Sequence, residues 1–235
     1  MQIDYQVLFK ELFQAQADNY IELLKKHNEY QPDNWFHNTK WIIHFLNNKH
    51  SKEYRYALDY MLEEKQKQKD HFVLHGINIE KIPTVFYSGL KSITFSDLLI
   101  TDFPTEMFLL KQLEHLTVRN CPIVSLANLF YHFHQLKSLV FSHCQISLFQ
   151  ASFQLPSSIE VLNLEYNFIR FLPFSILQSE AKEVYLQGNP ITDATFQLVE
   201  RSTIFPNATK VVLFDTFVSS SPLEETRNVI LQWNH

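Results

Sequence analysis

Ile159-Glu160-Val161-Leu162-Asn163-Leu164-Glu165-Tyr166-Asn167-Phe168-Ile169 is the stretch whose reading decides the fold. Apolar residues fall at its first, fourth, sixth and eleventh places, and an asparagine at its ninth. The same spacing closes on Ile79, Ile100, Ile123, Ile146, Ile169 and Ile191, 21 to 23 residues apart, and once more on Val218 after 27. The fourth, sixth and eleventh places are Phe72, Leu74, Ile79; Ile93, Phe95, Ile100; Leu116, Val118, Ile123; Leu139, Phe141, Ile146; Leu162, Leu164, Ile169; Val184, Leu186, Ile191; and Val211, Leu213, Val218. All are apolar in a chain that is 46% hydrophobic, which chance alone produces roughly once in ten million. A unit this short cannot bury its apolar face by itself, so the units must stack.

The ninth place holds Ile77, Leu98, Cys121, Cys144, Asn167, Asn189 and Thr216. This residue turns inward, and its side chain serves backbone groups of the loop that leaves the strand. Ile77 and Leu98 cannot, so the first two units are degenerate. With these motifs, residues 69–218 resemble the leucine-rich repeat (LRR) family. The resemblance implies an α/β fold: a curved solenoid of about seven repeats, short parallel strands on its concave face, turns or short helices on the convex one. Pro83, Pro104 and Pro173, each one residue past a consensus apolar position, fit an irregular convex side.

Residues 1–68 carry no repeat frame. Apolar stripes at helical spacing predict three helices there, the third presenting Tyr54, Ala57, Leu58, Met61 and Leu62 on one face. They form an N-terminal cap covering the first strand, with a docking module for host ubiquitin machinery as the alternative. Residues 219–235 open on Ser221-Pro222-Leu223-Glu224, a capping box with proline at the first helical position. Leu223, Thr226, Ile230 and Trp233 then share a helical face, so a closing helix is expected. The same tail, with Glu224 and Glu225 near the terminus, resembles the C-terminal signals of Dot/Icm type IV secretion substrates. LRR proteins of this size occur among those effectors of intracellular bacteria.

The chain has 235 residues and a net charge of −5 with no basic tail, which argues against nucleic acid as main partner. The N-terminus lacks the basic and apolar regions of a secretory signal, and no stretch is apolar enough to span a membrane. A cytoplasmic protein follows, possible translocation into a host cytoplasm aside, with no membrane insertion. Cys121 and Cys144 occupy the same frame position in adjacent repeats and are expected as buried, reduced thiols. Terminal caps over the strand edges suit a monomer.

No catalytic centre, metal site or cofactor is expected. There is no HExxH, CxxC, phosphate-binding loop or GxSxG. His143 precedes Cys144, but strand neighbours point to opposite faces. Sixty-eight N-terminal residues without a polar cluster offer little to an enzyme. The expected partner is a protein, here of a host cell. Frame positions three, five, seven and eight face the concave surface or its rim. Among them Arg119, His143, Asn163, Glu165, Tyr166, Tyr185 and Phe214 are the candidate contacts, because aromatic side chains and arginine dominate binding energy. A cytosolic LRR adaptor that is never secreted is the alternative.

Overall fold

The computed structural model describes residues 51–82, 89–103, 107, 110–126, 130–150, 153–197, 204–219 and 230–232. The first two expected helices, Pro83, Pro104 and the box at 221–224 lie outside them. A helix, α1 (Lys52–Gln66), opens the described chain; the Ser51 side chain accepts from the Tyr54 amide at its N-terminus. Then come β1 (His71–His75), β2 (Ser92–Ser96), β3 (His115–Arg119), β4 (Ser125–Leu126), β5 (Ser138–Ser142), β6 (Leu148–Phe149) and β7 (Val161–Asn163). The helical turn α2 (Phe174–Leu177), β8 (Glu183–Tyr185), β9 (Lys210–Val212) and β10 (Ile230–Gln232) follow.

Eight strands form one parallel sheet in the order β1-β2-β3-β5-β7-β8-β9-β10. β4 and β6 pair separately, on the outgoing side of their units. The register places equivalent residues opposite one another: Ile93 faces Leu116, Leu116 faces Leu139, and Leu139 faces Leu162. Each column across the sheet is therefore a single frame position. Columns four, six and eleven are buried throughout, none of their residues more than 7% exposed. The molecule is a parallel-strand solenoid with its core between the sheet and the return segments.

Phenylalanine fills that core lengthwise. Tyr60 of α1 meets Phe72 at 5.6 Å between ring centroids, and Phe72 meets Phe95 at 6.4 Å. Phe95–Phe103, Phe103–Phe141, Phe130–Phe141 and Phe130–Phe153 continue the chain at 5.4 to 6.1 Å. Tilted and edge-on pairs of this kind add to area burial. Tyr54, Ala57, Leu58 and Met61 bury the predicted face of α1. Buried Glu64 fixes the end of that helix, bonding Lys69 Nζ at 2.7 Å and Lys67 Nζ at 2.9 Å. The hydrogen bonds from Lys69 and Lys67 hold its carboxyl below the usual value.

Position nine is the polar rivet between units. Asn167 Nδ2 donates to the carbonyls of Phe141 (2.8 Å), Leu164 (3.0 Å) and Glu165 (3.0 Å), while its Oδ1 accepts the Ile146 amide at 3.0 Å. Asn189 repeats the pattern one unit on, with Leu164, Leu186 and the Ile169 amide. Cys144 makes only the donor half, toward the Val118 and Ser142 carbonyls. A thiol offers no good acceptor, and the Ile123 amide turns instead to its own loop, bonding the Cys121 carbonyl at 2.8 Å. Beside Leu98, the Ile79 amide bonds the Ile77 carbonyl in the same way, at 2.7 Å.

One expectation is corrected. Ile230–Gln232, placed on a closing helix by the sequence pattern, is the strand β10, paired in parallel with β9. An edge strand presents a row of unpaired amides and carbonyls, and a tail segment that pairs with it satisfies them.

Asn167→Ala removes the Asn167 bonds to the Phe141 carbonyl and the Ile146 amide, and leaves the Leu164 and Glu165 carbonyls with only Asn189 Nδ2 and the His143 amide. Its unfolding free energy in urea is expected to fall by about 3 kcal/mol. Lys137→Ala, which removes only the exposed ion pair to Glu114, is expected to leave the urea midpoint nearly unchanged.

Candidate functional site

The outer face of the sheet displays columns three, five and seven, and the chain then turns sharply at position eight. All seven residues of that column have positive φ: Gly76, Asp97, Asn120, His143, Tyr166, Gly188 and Asp215, between 50° and 66°. The left-handed turn points the amides of the first six at the next unit, as when Asn120 donates to Ser142, His143 to Glu165 and Tyr166 to Gln187. Glycine, asparagine, aspartate and histidine tolerate this conformation; a tyrosine there is an outlier. Tyr166, at φ 52°, is 39% exposed.

Its ring is held from both sides. The His143 ring lies 4.5 Å away at an interplanar angle of 32°. On the other side, a Cβ built on Gly188 would stand 2.4 Å from Tyr166 Cδ1. Gly188 is thus required twice, for its φ of 66° and for the ring packed on its Cα.

The structure gathers most of the expected contacts over β7 to β9. Asn163 is half-buried, and its Oδ1 accepts the Glu165 amide at 2.9 Å. Glu165 is half-buried and accepts from Gln187 Nε2. Tyr185 is tied down: its hydroxyl donates to Glu183 Oε2 at 2.5 Å and accepts from Lys210 Nζ at 3.0 Å. Lys210 Nζ also lies 4.7 Å from the Tyr185 ring centroid. These bonds, with the nearby Glu183 charge, keep the Lys210 ammonium above its usual pKa. Phe214 is half-buried beyond Gln187 in column seven. Arg119 is exposed at the end of β3, two strands from this group.

Not every outward column position is open. Val140, Ser142, Gln187 and Val212 are buried, at 9%, 1%, 6% and 2% exposure. Strands lie about 5 Å apart, so a short residue between longer neighbours is covered by them. Ser142 sits opposite Arg119 in this way. Gln187, Glu183 and Lys210 were legible by the same frame, yet composition alone gives no reason to prefer them. At the opposite end of the face, His75 Nδ1 approaches Ser96 Oγ at 2.9 Å and Asp97 Oδ2 at 3.0 Å, and Asn120 Nδ2 donates to Asp97 Oδ1 at 2.9 Å.

The thiols sit inside. Cys121 and Cys144 are buried and unpaired. Burial pushes the Cys144 thiol up to about 11 and raises Cys121 as well, far from a reactive thiolate at neutral pH. His143 faces out and Cys144 in. Where the strands begin, column two reads Asp70, Lys91, Glu114, Lys137, Glu160, Lys182 and Thr209. Signs alternate along it, and Lys137–Glu114 (2.6 Å) and Lys182–Glu160 (3.5 Å) close as ion pairs. A groove of about 530 Å³ on this rim is lined by Ser158, Glu160, Glu180, Lys182, Asn207 and Thr209, remote from the aromatic group.

No protein-family model matches the sequence, and no curated protein matches it. Solved structures do. An internalin from Listeria monocytogenes superposes with a TM-score of 0.61 at 18% identity, over 74% of this chain and 50% of that one. An LRR protein of Leptospira interrogans gives 0.56 at 18% identity, with the same coverage. The LRR domain of the type III effector XopL gives 0.59 at 17% identity, over 93% of this chain and 78% of that one. The fold is a leucine-rich-repeat solenoid. The chain spans half the length of the first two of these proteins. The columns described above are therefore LRR columns, and the outer sheet face is the concave face of that fold.

Two glycine substitutions separate backbone strain from ring packing. Gly76→Ala meets open space, so it is expected to cost only the left-handed penalty, about 1 kcal/mol. Gly188→Ala carries that penalty and displaces Tyr166. It is expected to cost about 2 to 3 kcal/mol and to shift the His143 and Tyr166 ring resonances in NMR spectra, which Gly76→Ala leaves in place.

Proposed function

We propose that this chain is a non-catalytic interaction module that binds a protein of a host cell through the concave face of its solenoid. In this reading about seven repeats over 69–218 stand between an N-terminal helical cap, 1–68, and a closing segment, 219–235, and the protein acts as a monomer without cofactor. One observation carries it: His143, Tyr166, Tyr185 and Phe214 crowd one half of a face whose backbone is fixed by inter-strand hydrogen bonds. Rigid aromatic side chains bury area at low entropic cost, and they dominate interface energetics.

The site residues are Arg119, His143, Asn163, Glu165, Tyr166, Tyr185 and Phe214. Tyr166 is the central anchor, because its ring is stacked in place before any partner arrives. Tyr185 is half-buried, and its hydroxyl stays committed to Glu183 and Lys210. Delivery by a type IV secretion system is the second part of the proposal. It draws on the likeness of the tail to Dot/Icm signals, and an LRR domain from a type III effector shares the fold. A cytosolic adaptor that is never exported is the competing reading. Among the described residues no helix is long and apolar enough to cross a membrane.

The Tyr166→Ala, Tyr185→Ala double variant is expected to keep the wild-type circular dichroism spectrum. A partner captured from host lysate should bind it at least tenfold more weakly by calorimetry. Equal affinity would remove the concave face from the account. A reporter fused to the chain should reach host cytoplasm with residues 219–235 present and fail to without them. Equal translocation of both would separate the tail from export.

A further inference from the structure

We propose that the concave face over β7, β8 and β9 holds a receptor site for an arginine side chain of the partner protein. The inference rests on the concave-face reading above and gives the partner a chemistry. Gln187 decides it. The residue is only 6% exposed, and its Nε2 donates to the Glu165 carboxylate. Its Oε1 is buried with no donor in reach among the described residues. A buried carbonyl left without a donor is a standing cost in the free protein.

The groups around that oxygen define what would satisfy it. Glu165, beside it in column seven, is a carboxylate that pairs with no cation among the described residues. Phe214 follows Gln187 in the same column, and the Tyr166 ring lies over the adjacent Gly188. Two acceptors between two aromatic side chains call for a flat cation that donates and does not accept. A guanidinium has five N–H donors and no acceptor, grips a carboxylate with two parallel bonds and stacks on aromatic faces. An ammonium offers charge without the fork. The cation on these strands, Lys210, is already engaged by the Tyr185 hydroxyl and ring. Because Gln187 Oε1 is sealed from solvent, the incoming guanidinium meets Glu165 and Tyr166 first and reaches the carbonyl by parting the side chains above it.

The full chain is titrated with fluorescein-labelled nona-arginine, nona-lysine and nona-glutamate peptides, followed by fluorescence anisotropy. Nona-arginine is expected to bind at least fivefold tighter than nona-lysine, and nona-glutamate not at all. Glu165→Gln and Gln187→Leu should each weaken nona-arginine at least fivefold. Glu180→Gln, which removes the same charge from the far rim, should leave it unchanged. Tyr166→Asn, at a position asparagine tolerates, should also weaken it while remaining folded by circular dichroism. Equal losses in Glu165→Gln and Glu180→Gln, equal affinity for the two basic peptides, or no binding at all would each overturn the proposal. A captured partner lost with Tyr166→Ala but docking no arginine there would remove this site and leave the concave face as the binding surface.

Discussion

Register governs this molecule. A five-residue strand with one apolar face has nothing to bury it against except its own equivalent in the next unit. Parallel pairing sets residue opposite residue, so that Phe72, Ile93, Leu116, Leu139 and Leu162 form one ladder. A slip of one residue would turn every ladder into solvent. Each column then has to solve one physical problem across the whole sheet, and the chemistry of the chain is organised by column more than by unit. The hydrogen bonds follow the same logic. Position eight donates to the position-seven carbonyl of the next unit, and position nine reaches one unit back to the position-six carbonyl.

The alternating charges of column two show how the register is defended at low cost. Each exposed pair contributes little by itself. Yet a strand set against the wrong neighbour would place Lys beside Lys or Glu beside Glu, and like charges directly opposite repel. Lys137 meets Glu114 at 2.6 Å and Lys182 meets Glu160 at 3.5 Å only because consecutive units carry opposite signs. The ladder penalises skipped pairings of neighbouring repeats more than it adds to the stability of correct ones.

Most of the scaffold was legible because a repeat samples the same constraint many times. The apolar columns, the inward ninth position and the reduced cysteines all follow from the frame. The buried face of α1 follows from helical spacing. Ile230–Gln232 depart from the expected helix for a physical reason. The spacing of Leu223, Thr226, Ile230 and Trp233 matches a helical period, but the open edge of β9 offers Ile230–Gln232 backbone partners that periodicity does not represent. The site was only partly legible. The frame names which residues face outward, yet burial of Ser142 and Gln187 depends on the side chains beside them. The left-handed eighth column was in plain view as Gly, Asp, Asn, His, Tyr, Gly, Asp, a run rich in residues that accept positive φ.

Tyr166 is the member of that column that breaks the rule, and its neighbours explain how it can. Its amide is fixed to the Gln187 carbonyl at 2.8 Å, and Asn167 immediately after it makes four hydrogen bonds to two units. The backbone is over-determined on both sides, so a bulky residue is held where asparagine or glycine would sit more easily. The ring in turn rests against His143 and on Gly188, where any other residue would collide with it. A conformational penalty maintained by this many separate contacts gains nothing for folding, since the unit turns equally well with Asp97 or Asn120 at the same place. What it does secure is position. The ring sits on a left-handed turn at the strand end, stacked on His143 and packed on Gly188, next in sequence to Glu165. Strain retained at the expense of stability is what the proposed contact role of this face would require.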